Sequence, residues 1–199
     1  MKKKLFAILM SAMMMVTFMP ALAFAGDYVG LRSVSSGTEV TVETQVFNNA
    51  EMVKLGKYTP IDTAKMKKWV DAGKKMVLID TMPATQYDSA HIKGAVNVEV
   101  TAGKYFKPDF KYDFTAAQKK ALKKAVGYTT KKAAKKSKKV IVTYCGFCGC
   151  DRSHYAAKYL KSLGYKNVYR YVGGGAAWED AGYDFYNLAG EVVHAHDKK

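Results

Sequence analysis

Apolar positions along the chain fall into three kinds of run. The first, Leu5 to Met19, is almost unbroken; it follows Lys2, Lys3 and Lys4 and ends at Pro20 and Ala23-Phe24-Ala25. A basic start, an apolar stretch and an A-x-A end predict an export signal over residues 1–25, cleaved to leave Gly26 or Asp27 first. A retained membrane anchor is the alternative, because Leu5 to Phe24 is long enough to span a bilayer. The second kind is short and of buried-strand type: Met76 to Asp80, Val140 to Tyr144, Asn167 to Val172, and a piece within His91 to Val98. The third recurs at helical spacing. Thr59-Pro60-Ile61-Asp62-Thr63 reads as a helix entry, and Ala64 to Ala72 follows with Met66, Trp69 and Val70 on one side, ended by Gly73. Ala84 to Ala90 predicts a helical turn or two. Thr115 can cap a helix over Ala116 to Val126, and Ser153 to Leu163 predicts another, ended by Gly164. Glu39 to Phe47 alternates polar and apolar residues, which predicts an edge strand, with Asn48-Asn49 as its turn.

The totals fit one globular domain with an appendage: 199 residues, 49% apolar and 25% charged. The expected layout is a signal over 1–25, an N-terminal extension over 26–58 with room for an added strand, a main domain over 59–188 and a polar tail over 189–199. Within the main domain, 101–139 reads as a Lys-rich insertion, with ten lysines between Lys119 and Lys139 and aromatics among the lysines from Lys104 to Phe110. The formal charge is +15, but the only arginines are Arg32, Arg152 and Arg170. Base recognition favours arginine, so nucleic acid is excluded as a partner. The lysines read as a solvated face that attracts small anions, with at most peripheral contact to an anionic membrane.

Cys145, Cys148 and Cys150 are all the cysteines of the chain. Lying so close together, they cannot tie distant parts of a fold, and an odd number leaves a thiol over. They sit where a predicted strand passes through a short loop into a predicted helix. Backbone N–H groups at such a helix start can surround an anion, and a thiolate there becomes a nucleophile. Two other chemistries remain open. Cys145-Gly146-Phe147-Cys148 has the spacing of a thiol–disulfide redox pair. Cys145, Cys148, Cys150 and His154 together could ligate zinc or copper(I), though the spacing is compressed for a structural zinc site. Asp80 and His91 stand at predicted strand ends, where sites of α/β sheets form; a cap for Asp80 and a structural hydrogen bond for His91 are the plainer readings. Gly173-Gly174-Gly175 predicts a tight or mobile loop packed close to the reactive loop, since no Lys-Ser/Thr follows to make a phosphate loop. His194 and His196 lie in the tail and read as a frayed terminus.

Leu78-Ile79-Asp80, Tyr87 and His91-Ile92-Lys93-Gly94-Ala95-Val96-Asn97 resemble the first signature of the rhodanese-like (sulfurtransferase) domain family. Val142-Thr143-Tyr144-Cys145, then Arg152-Ser153, Ala156-Ala157, Leu160, Gly164-Tyr165 and Asn167-Val168 resemble its active-loop strand and following helix. Gly173-Gly174 with Trp178 and Gly182 resembles the end of that domain, so the likeness runs over about residues 60–186 in the family's order. The resemblance implies a three-layer α/β domain with a central parallel sheet flanked by helices. It implies a loop cysteine that accepts sulfane sulfur from thiosulfate, polysulfide or a persulfide and passes it to a thiol acceptor, a protein thiol included. Aligned from the strand, Cys145 is the nucleophile; counted from the helix, Cys148 or Cys150 competes, and either would otherwise serve as resolving thiol. Arg152 and the backbone N–H groups of residues 146–152 would hold the anionic donor, and Ser153 would cap the helix and orient the loop. Asp80, His91, Gly146 and Gly149 would support the site, with no cofactor and no metal. Two departures stand out. The family's first signature often continues Asp, β-branched residue, Arg, where this chain has Asp80-Thr81-Met82. The loop is also longer than usual, and six residues between Cys145 and Arg152 disfavour the related phosphatase pattern, which has five.

Overall fold

The computed structural model describes residues 39–101 and 112–193, with side chains from residue 46 onward. The predicted signal over 1–25, the aromatic and basic run 104–110, and His194 and His196 lie outside the described residues. Five short strands form one parallel sheet: β1 (Thr59–Ile61), β2 (Val77–Asp80), β3 (Ala95–Asn97), β4 (Ile141–Tyr144) and β5 (Val168–Tyr171), in the order β1-β5-β4-β2-β3. Successive residues of each strand point to opposite faces, and both faces are covered. Ile79, Ile141 and Val168 pack with α1 (Glu39–Gly56), α4 (Ala116–Val126), α5 (Lys131–Lys136) and α6 (Arg152–Ser162) through Met52, Leu122, Val126, Ala134 and Leu160. Leu78, Val142, Tyr144 and Tyr171 pack against α2 (Thr63–Asp71), the end of α3 (Ala84–Ser89) and α7 (Gly174–Asp180) through Met66, Ala90 and Trp178. The result is the three-layer α/β architecture with a central parallel sheet. A small antiparallel pair, β6 (Phe185–Tyr186) and β7 (Val192–Val193), follows, and His91 bridges to Tyr186.

Several elements match their sequence signals closely. Thr115 caps α4 with a full capping box to Gln118, and Gly127 closes it at φ 61°. Asp62 caps α2 by accepting from Lys65 N at 2.8 Å. Other expectations are corrected. The predicted edge strand over Glu39 to Phe47 and the Asn48-Asn49 turn are part of α1. The alternation ends where a stronger pattern begins, because Asn49, Met52, Val53 and Gly56 recur at i, i+3, i+4, i+7 and form the inward side of that helix. Thr59 to Ile61 is not a helix entry but edge strand β1, the position in a sheet where Pro60 is tolerated. Gly173-Gly174-Gly175 is neither loose nor a simple loop; it begins α7. In the Lys-rich insertion, α5 is a second short helix, with Lys131, Lys132, Lys135 and Lys136 exposed and Ala134 turned into the core.

Candidate active site

The cysteine loop leaves the C-terminal end of β4, between β5 and β2, where open parallel sheets place their sites. Its backbone is fixed by the start of α7. Gly175 N donates to Cys145 O at 2.9 Å and Ala176 N to Gly146 O at 2.7 Å, so free amides of the helix end hold the loop carbonyls. Gly174 sits at φ 63°, and a Cβ there would lie 2.3 Å from Cys145 O. Only glycine allows so close an approach. This contact between the glycine triplet and the reactive loop is the close packing that the sequence suggested.

Cys145 is 1% exposed, beneath a small apolar cluster of Met82, Phe147 and Cys150. Its Sγ lies 3.1 Å from Ser153 Oγ and 3.4 Å from Cys150 O. Burial alone pushes this thiol up, but the Cys150 thiol, the Arg170 guanidinium and the side chain and backbone of Ser153 together bring it down to about 6. The neighbouring thiols move the other way. Cys150, buried and donating its hydrogen bond to Cys145, is raised well above its ordinary value, and burial raises Cys148. Of three free thiols, Cys145 alone is shifted toward thiolate at neutral pH.

The cation whose charge acts on this sulfur is Arg170, which reaches it through Ser153. It lies on β5 opposite Thr143 of β4 and points to the α1/α6 side of the sheet. The side chain is fully buried. Nε donates to Ser153 Oγ at 2.9 Å, and Nη2 donates to the loop carbonyls of Cys150 and Cys148 at 2.7 and 3.3 Å. Nη1 donates to Asn49 Oδ1 at 3.0 Å and to Met52 Sδ at 2.9 Å, both on α1. Each of these acceptors is neutral. A guanidinium without solvent stays charged only where negative charge is near, and Cys145, shifted toward thiolate, is the neighbour that supplies it against burial. The signal in the sequence was an arginine inside an otherwise apolar strand run, Val168-Tyr169-Arg170-Tyr171-Val172.

The other predicted residues divide into those around the sulfur and those apart from it. Ser153 is fully buried and is the second residue of α6, not its cap; the cap position is Asp151, and the Ser153 hydroxyl is turned to Cys145 and Arg170. Arg152 is half-buried, with Nη1 3.9 Å from Cys150 Sγ and Nε without a partner, so it stands beside Cys150. Three of the amides expected to cradle an anion over 146–152 are engaged within the loop. Gly149 N–H faces Cys148, Arg152 N–H faces Cys150, and Cys150 N donates to Phe147 O at 3.0 Å. Asp80 accepts from Met82 N at 2.8 Å through Oδ1, while Oδ2 is buried without a partner. Burial pushes its carboxyl up to about 7, against the pull of Tyr144 and Met82, with the Cys145 charge adding to the rise. His91 is held 2.9 Å from Tyr87 O and stacked on the Tyr87 ring, a structural arrangement away from the cysteines. His154 accepts from or donates to Tyr58 OH at 3.1 Å through Nδ1, and burial, with Arg170 and Lys158, brings its pKa to about 3. Among the described residues no group of three or more His, Cys, Asp or Glu side chains is placed to hold a metal ion.

A family model described as Rhodanese-like domain matches residues 62–181. No curated protein matches the sequence. Solved structures similar to this chain include the 30 kDa polysulfide-sulfur transferase homodimer from Wolinella succinogenes, at 14% identity and a TM-score of 0.49 over 81% of this chain and 95% of that one. A thiosulfate sulfurtransferase from Pseudomonas aeruginosa is similar at 16% identity and a TM-score of 0.49, over 75% of this chain and 23% of that one. A protein from Bacillus halodurans matches at 20% identity and a TM-score of 0.47, over 74% and 88%.

Proposed function

The chain belongs to the rhodanese-like domain family, with a broadly sulfur-related function, and from that premise we propose that it is a sulfurtransferase carrying sulfane sulfur on Cys145. The Cys145 thiolate attacks the outer sulfur of thiosulfate, a polysulfide or a persulfide. A bond forms between Sγ and that sulfur, the donor's S–S bond breaks, and its electron pair leaves with sulfite or a thiolate. An acceptor thiolate then attacks the outer sulfur of the Cys145 persulfide and regenerates the Cys145 thiolate. Arg170 and the Ser153 hydroxyl hold the negative charge on Sγ before and after each transfer. Arg152, half-buried at the loop's edge, meets the departing anion. The observation that carries this reading is the single thiol brought down to about 6 beside a buried guanidinium.

The contact between Cys150 and Cys145 favours a second release route. Cys150 attacks Sγ of the persulfide, a Cys145–Cys150 disulfide forms, and hydrogen sulfide leaves; an external thiol then reduces the disulfide. In this branch the protein also acts as a thiol–disulfide redox partner. The basic, apolar leader supports work outside the cytoplasmic membrane, in a periplasm or at a cell surface.

The deciding experiment is sulfur transfer from thiosulfate and from polysulfide to cyanide or a small thiol, with mass analysis of the loaded protein. One added sulfur atom on the Cys145 peptide is the expected result. Full transfer by Cys145→Ser would overturn the assignment.

A further inference from the structure

The matched family domain begins at residue 62, yet two residues before it bond to the buried Arg170. Asn49 Oδ1 and Met52 Sδ of α1 accept both described hydrogen bonds of Arg170 Nη1, at 3.0 and 2.9 Å. Lys57, at φ 55°, turns the chain sharply after α1 and lays the Tyr58 ring over Gly56. The Tyr58 hydroxyl then meets His154 Nδ1 at 3.1 Å, close enough to Arg170 for each to shift the other's pKa. Met52 is fully buried and Tyr58 nearly so, whereas Asn49 is half-buried at the rim of the helix.

We infer that this N-terminal segment is a working part of the sulfur site: Asn49 and Met52 are positioning residues that hold the Arg170 guanidinium against Ser153 and Cys145. The inference rests on the sulfurtransferase reading for its purpose, though not for its test. Five donor hydrogens in a planar fork must be aimed at once, and Nη1 held on the far side adds to the Nη2 bonds to the loop carbonyls in keeping Nε on Ser153. A neutral amide and a thioether suit that task. They satisfy the guanidinium without offering it a carboxylate, so its charge remains directed to the sulfur. A carboxylate at the same place would pair with Arg170 and withdraw that charge from Cys145.

The test uses the full chain and the pH dependence of Cys145 alkylation by iodoacetamide, read on the Cys145 peptide by mass spectrometry. The unaltered protein is expected to show a midpoint near 6. Asn49→Asp is expected to move it up by about one pH unit, and Asn49→Ala and Met52→Leu by roughly half as much. Circular dichroism and a thermal melt identify folded variants; should Asn49→Asp fail to fold, the two neutral substitutions carry the test. Midpoints within about 0.2 of the unaltered protein in folded variants would overturn the inference and leave α1 as packing only. Alkylation needs no sulfur donor, so its outcome separates from that of the transfer assay. A shifted midpoint in a protein that transfers no sulfur keeps the inference and sinks the sulfurtransferase reading.

Discussion

Arg170 Nε donates to Ser153 Oγ at 2.9 Å, and that bond fixes what the serine can do next. With one lone pair engaged by the guanidinium, the hydroxyl hydrogen is free to point at Cys145 Sγ, 3.1 Å away. The serine thereby passes part of a buried positive charge on to a sulfur atom, and it does so from inside a helix whose first residue is Arg152.

Cys145→Ser should lower sulfur transfer by at least about a hundredfold, and Cys148→Ser by no more than about threefold. Cys150→Ser should leave loading of Cys145 intact and abolish disulfide formation after loading. Transfer rates and non-reducing peptide maps check all three, and a Cys148→Ser protein that no longer loads would point to the wrong thiol having been chosen.

Arg170→Met keeps the length of the side chain and removes its charge. Alkylation of Cys145 should then require a pH higher by roughly one to two units, so reactivity near pH 6.5 falls about tenfold. Arg170→Lys should recover only part of the loss, because an ammonium cannot reach Ser153 and the loop carbonyls together. Unchanged alkylation in Arg170→Met would remove the guanidinium from the mechanism.

Asp80 makes the fold sensitive to pH in the direction opposite to most carboxylates. Its folded pKa is raised from the ordinary 3.8 to about 7, so its contribution is most favourable below 3.8 and is lost as pH rises toward 7. Asp80→Asn should therefore stabilise the protein at pH 8, by about 1–2 kcal/mol, relative to its effect at pH 4. Urea unfolding at both values measures the difference, and an equal effect at the two would contradict the ionisation argument.

His154 acts at the acid end. Its folded pKa of about 3 lies below the ordinary 6.5, so its contribution is complete above 6.5 and is lost as pH falls from there toward 3. Across that window the unfolded chain takes up a proton that the native one refuses, at up to about 1.4 kcal/mol per pH unit. His154→Gln retains a polar partner for Tyr58 OH, and its stability should decline less steeply on acidification in chemical-denaturation series.

Gly174→Ala should destabilise the fold by roughly 2–4 kcal/mol and slow Cys145 alkylation at every pH, since the new methyl meets Cys145 O and the backbone is left-handed there. A thermal melt and the same labelling series decide it.

Much of this fold was legible because its strands are short, two-sided apolar runs and its helices carry caps: Thr115 with Gln118, Asp62, and the glycines that follow. The position of the cysteine loop was legible for a similar local reason, a strand running straight into three thiols. What escaped the sequence was set by tertiary contact. Local alternation from Glu39 to Phe47 favours a strand, but Met52 and Val53 find a core against α6 only as a helix. Arg152 drew attention because it is close to the cysteines in the chain. Arg170 is closer to Cys145 in its chemistry, and it reaches the site only because β5 lies beside β4. Ser153 stood where a cap would be expected; its role depends on that same neighbouring strand.

The sheet order also governs when the site can come into being. β1 lies at an edge and pairs with β5 alone, Thr59 with Tyr169 and Ile61 with Tyr171. A chain emerging from its N-terminus thus carries β1 unpaired until β5, the last strand of the parallel sheet, has been delivered. Met52 and Asn49 likewise wait for Arg170. β5 brings both the partner of β1 and Arg170, so a chain that stops short of it holds three thiols without the guanidinium that lowers Cys145.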